Sequence, residues 1–84
     1  MKFKLGEIWE RSLTPVSARQ HAVHYVQDRL PEVWEWLDEP TFLGEWKIEA
    51  ISSGAFEYDT GYCAYDVVIR YSDETDAVHH RLRW

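Results

Sequence analysis

The sequence predicts an α+β domain, a small antiparallel sheet in the order β-α-β-β-β with one long, Pro31-kinked helix packed on one face. Three observations lead there. Apolar residues recur at helical spacing between Ala22 and Leu37, alternating apolar and polar residues fill the C-terminal half, and 84 residues leave room for one core only, so residues 1–84 are expected to form a single compact domain.

The opening KFKLGEIW alternates at Phe3 and Leu5 and predicts a first strand, weakened at Gly6. Thr14-Pro15 fits a helix N-cap followed by proline at the first helical position, with Ser17 and Gln20 as a rival capping box. At about 100° per residue, Ala22, Val26, Leu30, Val33 and Leu37 fall within about 60° of the centre of one stripe. His21, His24, Asp28 and Glu35 fall opposite. The stripe keeps its phase across Pro31, which removes one hydrogen bond and crowds the carbonyl of Gln27, so a kinked helix over roughly residues 15–38 is predicted. Trp34 and Trp36 then lie about 160° apart, at the two borders of the stripe, and form no paired platform.

Pro40 and Gly44 bracket a connection into EWKIEAIS (45–52), where Trp46, Ile48 and Ala50 share a face. Ser53-Gly54 reads as a tight turn returning through Phe56 and Tyr58. At Asp59-Thr60-Gly61 the alternation changes parity, through either a bulge or a turn, and continues at Cys63, Tyr65, Val67, Ile69 and Tyr71. With Asp73-Glu74-Thr75-Asp76 as a loop, Ser72 would pair with Ala77. The register then sets Tyr71, Ile69, Val67 and Tyr65 opposite Val78, His80, Leu82 and Trp84, and Asp66 opposite Arg83. A final hairpin is the expectation.

The single cysteine, Cys63, makes no internal disulfide, and a small chain without such staples suits a reducing, cytoplasmic setting. Lys2 and Lys4 are not followed by the apolar run of a signal peptide, and no stretch approaches the roughly 20 apolar residues that span a bilayer. No membrane association is expected. The net charge of −6 is concentrated in residues 28–59, where nine acids stand against two bases for a local charge of −7. Such a field repels nucleic acid and attracts basic partners, although acidic faces also serve solubility alone.

No motif for catalysis, metal or cofactor stands out, and neither cofactor nor metal is predicted. His21, His24 and Asp28 share a helix side, but HAVHYVQD lacks the glutamate of HExxH, and a solvated polar face accounts for them. His80 turns toward the apolar face in the predicted hairpin and would be a buried neutral imidazole, with Tyr58 or Tyr65 as partner. Cys63 points inward and is expected to be structural. GYCAYDVVIRY is faintly similar to the aromatic RNA-binding strand of RNA-recognition domains, but Thr60 occupies the basic position and Cys63 interrupts the spacing. With the acidic middle segment, this argues against direct nucleic-acid binding.

Two surfaces remain. The first is acidic and Trp-bordered: Glu32, Trp34, Glu35, Trp36, Asp38, Glu39 and Glu45. The second is a basic-aromatic patch on the outer face of the expected hairpin: Tyr62, Arg70, His79, Arg81 and Arg83. Aromatic and arginine side chains dominate binding hot spots. The expectation is a non-enzymatic binding module or inhibitor that presents the acidic surface to a protein partner with a basic surface. Its size and charge suit a phage or mobile-element inhibitor that imitates nucleic acid. The alternative is a small-molecule or minor enzymatic pocket between helix and sheet, lined by Tyr58, Tyr65, His80 and Cys63. Pairing through a sheet edge or the aromatic patch leaves a homodimer open.

Overall fold

A computed structural model describes residues 1–11 and 13–84. The element order is β1 (Lys2–Arg11), α1 (Pro15–Arg29), α2 (Pro31–Leu37), β2 (Trp46–Glu57), β3 (Tyr62–Tyr71) and α3 (Glu74–Arg83). The class is α+β, with an antiparallel sheet in the spatial order β1-β3-β2. The predicted chain order is corrected: two helices replace the single long one, and the final strand is a helix.

α1 starts where the sequence places it. Thr14 is extended, its hydroxyl accepts the Ser17 amide at 3.2 Å, and Pro15 opens the first turn without needing a donor. It ends at Leu30, which adopts φ −130° and ψ 57° because the proline that follows disfavours helical geometry. The Leu30 amide still donates to the Val26 carbonyl, and the Leu30 carbonyl accepts from Trp34, each at 3.0 Å. One residue thus closes α1 and opens α2, and the expected kink is a break. The inward stripe survives it, since Ala22, Val26, Val33 and Leu37 are all buried.

The two glycine-marked turns exchange roles. β2 runs through Ser53-Gly54 as a bulge, with Ser52 paired to Tyr65 and Phe56 to Cys63. Gly54 takes φ +83°, and the Ser53 hydroxyl donates to the Ala64 carbonyl at 3.2 Å. The chain reverses instead at Tyr58–Gly61, where Gly61 takes φ +75° and its amide donates to Glu57 at 2.9 Å. Asp59-Thr60-Gly61 is therefore the turn.

Residues 74–83 are helical because Asp73 caps them. Its carboxylate accepts the amides of Thr75 at 2.8 Å and Asp76 at 3.4 Å. Glu74 and Asp76 lie in the first turn, and His80, Arg81 and Arg83 in the last, matching the helix dipole at both ends. The buried residues Asp76, Ala77 and His80 follow helical spacing. The predicted pairing of Val67 with Leu82 and Asp66 with Arg83 does not occur; β1 takes that edge of β3, setting Gly6 opposite Val67 and Glu7 opposite Asp66.

The strands contribute Ile48, Val67, Ile69 and Tyr71 to the core from one face of the sheet. Ala22, Val26, Val33, Trp36, Leu37 and Ala77 meet them from the helices. Among the described residues no helix is long and apolar enough to cross a membrane.

Candidate functional site

α2 and the loop after it form the acidic surface. Pro31 and Glu32 occupy the first turn, where a carboxylate suits the helix dipole. Val33, Trp36 and Leu37 turn inward at helical spacing, which leaves Glu32, Glu35, Asp38 and Glu39 exposed. Glu45, the loop residue just before β2, joins them and is also exposed. Among the described residues none of these five carboxylates has an ion-pair partner. Glu7, Glu49 and Asp66 elsewhere do, with Lys4, Lys47 and Arg70, and Glu10 lies 3.2 Å from the His21 ring.

The two tryptophans have different environments. Trp34 is half-buried and packs edge-on against Trp46, their centroids 6.3 Å apart. Together with Leu37 and Asp38 they line a groove of about 320 Å³ beside Glu35. Trp36 is 6% exposed and belongs to the core instead of the rim. It is ringed by Phe42 at 4.8 Å, Trp84 at 5.0 Å, His80 at 5.9 Å and Tyr71 at 6.1 Å, with the Arg83 guanidinium 5.8 Å over its ring. Glu32, Glu35 and Glu39 border a second groove there, with Arg83 and Trp84 opposite.

Residues from the far end of the chain hold the loop. Asp76 is 2% exposed, and its two carboxylate oxygens accept the amides of Leu43 at 3.0 Å and Gly44 at 2.9 Å. The Glu45 amide donates to the Ser72 hydroxyl at 2.8 Å, and the Ser72 amide returns a bond to the Glu45 carbonyl at 2.9 Å. Gly44 is required at this crossing, because a Cβ would lie 2.5 Å from the Ser72 hydroxyl and 2.9 Å from the Asp73 Cβ. Sequence reasoning missed Asp76 and Ser72 as positioning residues. The signal was present in Asp73 and Asp76, a helix N-cap pattern that reads equally well as a hairpin loop.

The second predicted surface is not assembled. Tyr62 and Arg70 sit near opposite ends of β3, whereas His79, Arg81 and Arg83 belong to α3. Arg70 pairs with Glu49 at 3.2 Å, and Tyr62 lies under the Arg11 guanidinium at 5.3 Å. The loss of the final hairpin removes the shared face.

The alternative pocket is likewise dispersed. Tyr58 is 90% exposed at the β2–β3 turn, Cys63 is half-buried at the start of β3 and Tyr65 half-buried two residues on. His80 is buried as expected, but its partner is Tyr71, whose hydroxyl lies 2.8 Å from Nδ1. Burial lowers the His80 pKa and keeps the ring neutral. Burial, reinforced by the nearby Asp76 charge, raises that of Tyr71. His21 Nδ1 pairs with Glu10 at 3.2 Å. Among the described residues no three His, Cys, Asp or Glu side chains converge to hold a metal ion.

The chain matches no known protein family, no curated protein and no solved structure.

Proposed function

We propose that this protein is a non-catalytic binding module or inhibitor whose α2 face engages a basic surface on a protein partner. One observation carries the reading: Glu32, Glu35, Asp38, Glu39 and Glu45 are gathered on α2 and the loop after it, exposed and without ion-pair partners among the described residues. Unpaired carboxylates concentrate a negative field that steers a basic partner into contact. Their placement on a helix, and on a loop clamped by Asp76 and Ser72, supports a preorganised array that loses little entropy on binding. Trp34 supplies a half-buried aromatic edge beside Glu35 for apolar contact at the centre. Such an array imitates the charge of nucleic acid, and a phage or mobile-element inhibitor of nucleic-acid-handling machinery is the setting it fits.

The test is the triple variant E32K/E35K/D38K, used beside the natural sequence to capture partners from host extract. A basic protein held by the natural sequence at low salt should be lost in the variant, while its circular dichroism stays unchanged. Equal capture by a folded variant would overturn the reading.

A further inference from the structure

His80, hydrogen-bonded to Tyr71, lines a groove of about 310 Å³ between the start of β1, the α1–α2 junction and α3. Phe3, Leu30, Val33 and Trp84 make its apolar walls. Among the described residues no Asp or Glu side chain lines it, although the chain carries a net charge of −6. The Phe3 ring stacks on the His80 imidazole with centroids 4.4 Å apart.

The polar chemistry of the groove follows from one hydrogen bond. The Tyr71 hydroxyl is buried and has a single partner, His80 Nδ1. A buried hydroxyl needs an acceptor for its proton, so the phenol donates and Nδ1 accepts. The neutral ring must then carry its own proton on Nε2. Nε2 has no protein partner among the described residues, and it is not sealed from solvent. His80 is 5% exposed overall and lines this groove, which is where an Nε2–H without a protein partner can meet a ligand. Arg81 stands at the same rim, its guanidinium 5.8 Å over the Phe3 ring and free of ion pairs among the described residues. Lys4, the other cation on the groove, is held by Asp66 and Glu7.

The geometry points to a binding site for a small aromatic carboxylate, its ring between Phe3 and Trp84 and its carboxylate shared by His80 Nε2–H and the Arg81 guanidinium. A preformed apolar slot with one buried donor and one cation at its mouth is the usual form of a site for a small amphipathic acid. The site is separate from the acidic surface of α2, and it can fail while the protein-binding reading stands.

Phenylacetate and phenylacetamide are the probes, followed by ¹⁵N correlation spectra of the backbone and of the histidine rings. Phenylacetate should give a saturable shift at His80 Nε2 and at the amides around Phe3 and Trp84. The amide, which lacks the charge, should bind about tenfold more weakly. Arg81→Gln changes an exposed residue, should fold normally, and should weaken phenylacetate by about tenfold while leaving phenylacetamide unaffected. Tyr71→Phe releases the tautomer and should weaken both probes at His80. The proposal is overturned by no saturable shift, by shifts confined to other surfaces, or by equal affinity for acid and amide in the natural sequence.

Discussion

The carboxylate of Asp76 accepts the amide of Gly44 at 2.9 Å across 32 residues of chain, and it accepts the Leu43 amide at 3.0 Å with its other oxygen. This buried acid satisfies two donors of the loop between α2 and β2, whose backbone would otherwise be left without partners. Asp76→Asn keeps the shape but replaces one acceptor oxygen with a donor that faces an N–H. A hydrogen bond to a charged group contributes about 1.5–3 kcal/mol, and the variant should lose about that much stability in urea unfolding. Asp76→Ala should lose more. Both should also weaken partner capture through Glu45, because the clamp on that loop is gone. Full stability in Asp76→Asn would mean that water replaces the carboxylate without penalty.

The Tyr71–His80 pair predicts stability loss at both ends of the pH range. The folded-state pKa of His80 lies below its ordinary 6.5, so between the two values the unfolded chain binds a proton that the folded chain refuses. Stability from this group is fully present above about pH 6.5 and falls as the pH drops below it. Tyr71 has the opposite sign. Its folded-state pKa lies above the ordinary 10.0, so above that pH the unfolded chain releases a proton first and stability falls as the pH rises. Urea titrations from about pH 5 to about pH 11 measure both slopes. His80→Gln should flatten the acid limb and Tyr71→Phe the alkaline one, each on a lower plateau because the shared hydrogen bond is lost.

Gly6 and Tyr25 form a second close approach. The register of β1 on β3 shifts between Lys4 and Gly6, and a Cβ at Gly6 would overlap the Tyr25 ring. Gly6→Ala should therefore cost about 1–3 kcal/mol through forced displacement of the ring. If the ring is the cause, Tyr25→Ala should absorb most of that cost, and a double-mutant cycle should give a coupling above about 0.5 kcal/mol. Additive losses would place the strain in the strand backbone.

The parts of the fold that were legible are those decided by neighbours in sequence. Thr14-Pro15 names its helix start because the cap bond spans three residues, and Val33 and Leu37 face inward because helical spacing leaves no other choice. The C-terminal segment was misread because AVHHRLRW places apolar and charged residues opposite suitable partners in a strand register as well as on a helix. What separates the two is the Asp73 cap and the matched end charges, which favour the helix. Trp36 shows the other limit. Its position on the wheel is at a border, but Phe42 from the following loop and Trp84 from the far end of the chain enclose it, and no helical spacing encodes that arrival. His80 was expected to be buried through a hairpin that does not exist; burial holds because the same residue faces inward from a helix.

The acids of α2 supply the last prediction, which separates a working surface from a structural one. Glu32 and Glu35, and Glu35 and the C-cap Asp38, are three residues apart, so like charges crowd one helix face. Each such pair is unfavourable by roughly 0.2–0.5 kcal/mol, and Asp38 adds a negative charge at the end where the dipole is already negative. Glu35→Gln and Asp38→Asn should therefore raise stability by a few tenths of a kcal/mol each at low ionic strength, with the gain fading as salt is added. If the proposed function is right, the same substitutions weaken partner capture, and the carboxylates are kept at a cost to the fold. A loss of stability in either variant would show that the charges hold the structure together. The unpaired acids would then no longer need a partner to account for them.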